Sequence, residues 1–251
     1  MSSRLMQILF SFDARNESLG IADLVRITGM SRTTVRRLVL ELVEAGAVDR
    51  REDGRFTVGL KLWQLATLAP HTESLRKVAH PFVEDLYSAL HQHVQLAVLE
   101  GEEAVLVDRT SAPRAVELGT RVGGRLPLHC SGVGKVLLAH AGPELLETIV
   151  SSPLKAYSTS TITDPTVLRR EIAACRQTGT SIVRGELAVD ADSVGTRILD
   201  RRGRVIASLA VVVRAGSVSL DAALPSVVAT GLGISRALGW RPGVPVRDGI
   251  A

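Results

Sequence analysis

The sequence predicts an α+β protein made of a winged helix-turn-helix, a linker helix and a larger domain built on a largely antiparallel sheet. Two helical patterns separated only by residues 28–30 predict a helix-turn-helix. The pair Asp53-Gly54 between two short apolar runs predicts a tight hairpin directly after it. Further along, β-branched runs cluster in two groups, with helical patterns between and after them. We place the three parts at residues 1–59, 60–72 and 73–251.

The first two helices are predicted from apolar spacing. Leu5, Ile8, Leu9 and Phe12 recur at i, i+3, i+4 and i+7, which is one face of a helix. A shorter helix is expected over residues 21–28, and Gly29 suits the tight turn that follows because glycine adopts positive φ without strain.

The segment 29–46 predicts a helix with two different faces. Val35, Leu38, Val39 and Leu42 form an aliphatic face, and Ser31 stands where a capping hydroxyl is needed. With the hairpin, this makes a winged helix-turn-helix whose helix enters a major groove of double-stranded DNA. The alternative is a structural helical hairpin with a merely solvated face. We expect base contacts from Arg32, Thr33, Arg36 and Arg37, and phosphate contacts from Ser31, Thr34, Arg50 and Arg55.

The stretch "LKLWQLATLA", residues 60–69, is helical but apolar around most of its circumference. Such a surface needs cover, so we expect it to pack on its copy in a second subunit, which also brings two DNA-binding heads together. Pro70 is expected to end this helix.

The remaining residues predict an α+β domain. We expect a helix from Glu73 to about Leu90 and then a hairpin over 93–110 around Gly101. Helices on one face of such a sheet would leave room for a ligand cavity on the other. Further helices are expected at about 131–141, 143–151, 164–179 and 224–238, and further strands at 181–186 and 193–213, with a turn at Arg202-Gly203.

Composition limits the class of protein. The chain has 251 residues, of which 45% are hydrophobic and 22% charged, as in a folded globular protein. Its net charge is only +4, so a nucleic-acid partner must be argued locally. Cys130 and Cys175 do not make a disulfide framework, and the longest apolar run, 205–213, is too short to span a membrane. We therefore expect a cytoplasmic protein without a membrane partner.

The chain resembles the IclR family of transcriptional regulators over nearly its full length. The resemblance rests on "ITGMSRTTVRRLVLELVEAGAV", "DGRFTVG", "LAVLEGEEAVLVDR", "GTRVGGRLPLHCSGVGKVLLA" and "GELAVDADSVGTRILDRRGRVIASLAV". It implies a winged helix, a linker helix used in dimerisation, and a GAF-like C-terminal domain that binds a small organic or aromatic acid. It also implies homodimers or homotetramers acting at promoters of catabolic genes.

The resemblance further implies which residues line the effector pocket. They are Cys130, Ser131 and Gly132 at a helix start, Ser193 on the strand matching 193–198, and Ala210 and Val212 on a later strand. The chain departs from the family twice, because Arg197 replaces a proline, and Ala210 and Val212 stand where some members carry hydroxyls. Without hydrogen bonds from those two, an aromatic or other apolar body is expected in the ligand, with its acidic end at Ser131 and Gly132.

Other motifs allow alternatives. "SGVGK", 131–135, lacks the glycine and the hydroxyl residue of a phosphate-binding loop, so no nucleotide cofactor is predicted, and its small residues serve either anion binding or close packing. His91 and His93 lack a third metal ligand at suitable spacing. His129-Cys130 allows an acyl-transfer or hydrolytic enzyme as the alternative function. Arg197 is either an exposed edge residue or a buried cation paired with Asp190 or Asp192.

Overall fold

The computed structural model describes residues 2–13, 16–66, 68, 70–111, 116 and 119–247. The chain divides into two compact units, residues 1–73 and 74–251. The fold class predicted from the sequence, α+β with an N-terminal helix-turn-helix and an antiparallel sheet in the C-terminal part, is confirmed.

The first unit holds three helices, a two-stranded wing and the linker helix that follows them. Its core holds Leu24, Val35, Leu38 and Phe56, the positions that the helical and strand periodicities place inward. Gly29, at φ 69°, caps the second helix as the predicted turn requires. Its elements are α1 (Ser2–Leu9), α2 (Ile21–Thr28), α3 (Arg32–Glu44), β1 (Val48–Arg50), β2 (Phe56–Val58) and α4 (Leu60–Ala66).

Pro70 does not end the linker helix as expected. Helix α4 already ends at Ala66, and a separate helix, α5, begins at Pro70 and runs to Leu90. Proline is favoured at the first position of a helix, where its missing N–H would have no partner and its φ is already helical. Residues 67 and 69, between the two helices, lie outside the described part of the chain.

The second unit is built on a six-stranded sheet in which every neighbouring pair is antiparallel. The strands are β3 (His93–Glu100), β4 (Glu103–Thr110), β5 (Arg125–Pro127), β6 (Thr180–Arg184), β7 (Ala191–Leu199) and β8 (Val205–Arg214), in the order β5-β4-β3-β8-β7-β6. Strand β5 was not predicted, because three residues are too few for a period of two to show.

Helices cover both faces of this sheet. Helices α5 and α9 (Leu220–Ala237) share an apolar core with one face. On the other face lie α6 (Gly132–His140), α7 (Pro143–Ser151) and α8 (Pro165–Thr178). Both faces carry apolar residues, and each needs cover from water. Among the described helices, none is long and apolar enough to cross a membrane.

Candidate functional sites

Helix α3 begins with an exposed cap. The Ser31 hydroxyl accepts a hydrogen bond from the Thr34 amide at 3.3 Å and lies 2.9 Å from the Thr34 hydroxyl. Val35 and Leu38 are fully buried and fix the helix on the core of its unit. The helix therefore presents its first two turns to solvent in one orientation.

The predicted base-contact residues share this exposed front. Arg32, Thr33 and Arg36 are exposed, and Arg37 is exposed but forms an ion pair with Glu41 one turn later. Guanidinium groups can donate paired hydrogen bonds to guanine edges, and a threonine methyl can contact thymine. The arrangement can read the edges of bases in a major groove.

On the wing, Arg50 and Arg55 differ. Arg50 is exposed at the end of β1, whereas Arg55 turns back to the start of α2. The Arg55 guanidinium donates to the Ser18 hydroxyl at 3.0 Å and lies 3.2 Å from the Asp23 carboxylate. A hydrogen bond from the Gly20 amide, together with Arg55 and Arg26, holds the pKa of Asp23 below its ordinary value. Arg55 thus joins the wing to α2, a structural task that the sequence did not suggest.

The linker helix α4 has an exposed apolar surface. Leu60, Trp63 and Leu65 are each 63% exposed, and Leu68 beyond the helix is 74% exposed. No described residue of α4 is buried.

The second unit contains a cavity between the start of α6, the β6–β7 loop (residues 185–190) and the sheet. Its volume is about 50 Å³, and it is partly open to solvent. Five of the predicted effector residues line it together: Cys130, Ser131, Gly132, Ser193 and Val212.

Ala210 is not among the lining residues, contrary to expectation. It is 1% exposed and packs in the core beneath α6. Ala210 pairs with Gly195 in the sheet, and a Cβ on Gly195 would lie 2.8 Å from the Gly132 carbonyl oxygen. The start of α6 therefore lies directly over this part of the sheet, and only Val212, two residues further on, reaches the cavity.

Sequence reasoning missed over half of the lining. The clearest signal lay in Gln95, a polar residue at a buried position within β3. The others are too ordinary or too far apart in sequence to be recognised. The missed lining residues are Gln95, Thr120, Leu126, Val183, Leu187, Ala188 and Ala191.

The start of α6 combines close packing with free amides. The Ser131 hydroxyl donates to the Pro127 carbonyl at 2.6 Å and accepts from the Gly134 amide at 3.1 Å, so its own hydrogen bonds are used within the protein. A Cβ on Gly132 would lie 2.5 Å from the Ser193 hydroxyl. No described acceptor bonds the amides of Gly132 and Val133, the first two of the helix. Such amides at the positive end of a helix attract an anionic group.

Lys135, the lysine of "SGVGK", is used inside the protein. Its side chain is 2% exposed, and its Nζ lies 2.5 Å from Oε1 of Glu186, which is 7% exposed and lies in the β6–β7 loop. Thr161 donates to the Glu186 carbonyl at 2.6 Å from outside the loop. These contacts hold the β6–β7 loop, with Leu187 and Ala188, over the cavity.

Cys130 is not activated as a nucleophile. Burial, together with the charge of Glu186, raises the pKa of its thiol to about 12. In the described part of the chain no hydrogen bond joins His129 to Cys130, and His129 Nε2 instead lies 3.0 Å from the Lys155 carbonyl. A thiol of such high pKa holds almost no thiolate near neutral pH.

His93 and Arg197, the other residues with open roles, lie in different surroundings. His93 Nε2 lies 2.6 Å from the Val116 carbonyl, and burial lowers the pKa of the ring. Among the described residues no group of three potential metal ligands is found. Arg197 is half-buried and packs over Gly179. A Cβ added at Gly179 would lie 2.4 Å from the guanidinium carbon. Burial lowers the pKa of Arg197. In the described part of the chain neither Asp190 nor Asp192 forms an ion pair with it, so the alternative of a cation paired with one of these aspartates is not the arrangement found.

Comparison with known proteins identifies the family. Residues 3–52 match the IclR helix-turn-helix domain, and residues 68–236 match the C-terminal domain of bacterial IclR transcriptional regulators. The chain therefore belongs to the IclR family of transcriptional regulators, and its helix-turn-helix is a DNA-binding domain.

Two curated relatives illustrate the likeness. The HTH-type transcriptional regulator KipR of Bacillus subtilis is 31% identical over 195 residues, covering 77% of this chain and 78% of KipR. The HTH-type transcriptional regulator XynR of Escherichia coli is 29% identical over 247 residues, covering 94% and 96%. Among solved structures, an IclR homologue from Microbacterium hydrocarbonoxydans, complexed with 4-hydroxybenzoate, superimposes with a TM-score of 0.90 at 33% identity, covering 94% of this chain and 98% of the homologue.

Proposed function

We propose that this regulator binds the operators of catabolic genes as a homodimer or homotetramer and that an aromatic or other apolar-bodied acid controls its affinity for them. The observation that carries the proposal is the cavity at the start of α6. Its walls are mainly apolar, from Leu126, Val183, Leu187 and Val212, and at one end lies Gly132, the first of two residues with free amides. Burial of an aromatic ring against apolar walls is favourable. A buried carboxylate needs hydrogen-bond donors such as those amides.

The acidic end of the effector is proposed to lie at the amides of Gly132 and Val133. The Ser193 hydroxyl stands beside Gly132 and makes no hydrogen bond to a described side chain, so it is available as a further donor. Ser131 supports this end indirectly, since its hydroxyl holds the first turn of α6. The structure complexed with 4-hydroxybenzoate belongs to a homologue with the same fold, which favours the same class of ligand here.

Operator binding is proposed to use α3 and the wing. Arg32, Thr33, Arg36 and Arg37 would contact bases, and Ser31, Thr34 and Arg50 would contact phosphates. Arg55 would reach a phosphate only with the part of its guanidinium that Ser18 and Asp23 leave free. The apolar surface of α4 favours pairing of two subunits, since it would otherwise face water.

The experiment for the effector is a thermal-shift and operator-binding titration with 4-hydroxybenzoate, benzoate and pyruvate. The aromatic acids should raise the melting temperature, by the equivalent of about 2.7 kcal/mol at a hundredfold excess over Kd, and shift operator affinity. Stabilisation by pyruvate alone would contradict the proposal.

A Gly132→Ala variant tests the position of the acidic end. The new Cβ would displace Ser193 and crowd the free amides, so we expect at least a tenfold loss of ligand affinity, with operator binding of the ligand-free protein unchanged. Gly119→Ala is the matched control, because a Cβ there would meet no atom of the described residues within 4 Å. Equal ligand affinity in the two variants would place the acidic end elsewhere.

The alternative of a Cys130 enzyme has its own test. Because the thiol pKa is about 12, iodoacetamide should label Cys130 in the folded protein at least about a hundred times more slowly than in the urea-unfolded protein at pH 8. Rapid labelling of the folded protein accompanied by esterase activity would revive that alternative.

A further inference from the structure

The cavity has a second polar end, away from the start of α6. Gln95 on β3 and Thr120 both line it, and Gln95 Nε2 donates to the Thr120 hydroxyl at 3.3 Å. Gln95 is only 4% exposed, and this long bond is its one side-chain hydrogen bond to a described residue. A buried carboxamide has two donors and an acceptor oxygen to satisfy, so most of its capacity is unused.

A partly buried cation, Arg109, stands beside this end. Arg109 is directly opposite Gln95 in the β3–β4 ladder, so both side chains leave the sheet on the same face. Its guanidinium donates to the Thr120 carbonyl, while its Nε is buried without a hydrogen-bond partner. No carboxylate in the described part of the chain forms an ion pair with it. This end of the cavity therefore lies beside a positive charge that no carboxylate of the described residues neutralises.

The distance between the two polar ends of the cavity is about the length of one small aromatic molecule. Gln95 lies on β3 and Ser193 on β7, the two strands that flank β8. Two strand spacings are about 10 Å. An aromatic ring with one polar group at each end can bridge such a gap when it makes a hydrogen bond at both ends.

We propose that Gln95 is a specificity-determining residue that hydrogen bonds, together with the Thr120 hydroxyl, a hydroxyl group on the ring of the effector opposite to its carboxylate. Arg109 is a positioning residue, because it holds Thr120 and makes this end attractive to an electron-rich oxygen. The effector class is then a para-hydroxylated aromatic acid. The inference rests on the proposed function, namely that an aromatic acid binds in this cavity.

The test is calorimetric titration of the full chain with 4-hydroxybenzoate and with benzoate, which differ only in the hydroxyl. The parent protein should bind 4-hydroxybenzoate at least about tenfold more tightly, as expected for hydrogen bonds to buried partners. In Gln95→Leu the ratio should fall towards one, with benzoate affinity within threefold of the parent. Gln95→Met, which also lacks the amide, serves if the leucine variant does not fold.

Two further variants distinguish a positioning role of Arg109 from a general loss of ligand binding. Arg109→Gln should lower the ratio of the two affinities at least threefold without weakening benzoate. Leu187→Met changes the apolar wall at nearly constant volume, so it should affect both acids alike and leave the ratio unchanged.

The outcomes distinguish this inference from the proposed function. Equal binding of both acids by the parent, or equal weakening of both acids by Gln95→Leu, would overturn the role of Gln95 while leaving an aromatic effector in place. Equal weakening of both by Arg109→Gln would overturn the role of Arg109. If neither acid binds the parent, the aromatic effector itself is wrong, and the inference fails with it.

Discussion

Helices α3 and α6 begin with the same local device in opposite surroundings. Ser31 accepts a hydrogen bond from the Thr34 amide, and Ser131 accepts one from the Gly134 amide, each three residues further on. The front of α3 is open to water, whereas every residue of α6 is buried. One helix start can meet a large polyanion at the surface, and the other can meet only a molecule that fits a small cavity.

The ion pairs on the two helices differ in the same way. Arg37 and Glu41 on α3 are 52% and 37% exposed, while Lys135 on α6 and its partner Glu186 are 2% and 7% exposed. Exposed charges are stabilised by water in either state, whereas a buried charge that loses its partner has no such alternative. An ion pair between a cationic side chain and a glutamate is therefore dispensable for stability on α3 and necessary for it on α6.

The largest effect is expected from Lys135→Met. It leaves the Glu186 carboxylate buried without its partner, so we expect a loss of about 3–5 kcal/mol in the free energy of unfolding of the second unit. The double variant Lys135→Met/Glu186→Leu should recover most of this loss. The measurement is urea unfolding followed by Trp240 fluorescence in a Trp63→Phe background. A loss below about 1 kcal/mol would mean that water reaches Glu186 in solution.

Next come the two caps. Ser131→Ala removes a hydroxyl that bonds both Pro127 and Gly134 inside the protein, so we expect a cost of about 2–4 kcal/mol. Ser31→Ala removes an exposed cap, and its cost should be about 1 kcal/mol. Amide hydrogen exchange of α6 and α3 in the two variants measures both. Equal costs would show that burial does not separate the two helix starts.

Arg36→Ala tests what the open front of α3 is for. Its side chain makes no ion pair with a described residue, so its loss should leave folding intact and weaken specific operator binding by about 1–3 kcal/mol, with relaxed discrimination at one base position in each half-site. Mobility-shift titrations on the operator and its single-base variants measure this. Uniform weakening on all sequences would instead make Arg36 a phosphate contact.

The smallest effect is expected from Glu41→Ala. The pair with Arg37 is exposed and four residues apart on one helix, so its loss should change the free energy of unfolding by about 0.5 kcal/mol or less. Urea unfolding of the first unit, followed by circular dichroism, gives the value. A cost comparable with that of Lys135→Met would contradict the assignment of the difference to burial.

The sequence by itself determined the local elements and the family. The positions of α2, α3 and the wing follow from apolar periodicity, from Ser31 as a cap, and from the turn residues Gly29 and Asp53-Gly54. These signals act over a few residues, through hydrogen bonds and burial that each segment makes largely by itself, so they are readable along the chain. The start of α6 was readable for the same reason.

Only the tertiary structure decided what these elements enclose. Lys135 and Glu186 are 51 positions apart, and Arg55 and Ser18 are 37 apart, so neither partnership leaves a local pattern. Ala210 and Val212 are equally apolar in sequence, yet only Val212 reaches the cavity, because the start of α6 packs over Gly195 beside Ala210. Gln95 and Arg109 face each other through the register of the β3–β4 ladder, which shifts at Val107 of β4. These partnerships and the lining of the cavity depend on contacts between segments that are distant in sequence. Such contacts exist only once the chain has folded.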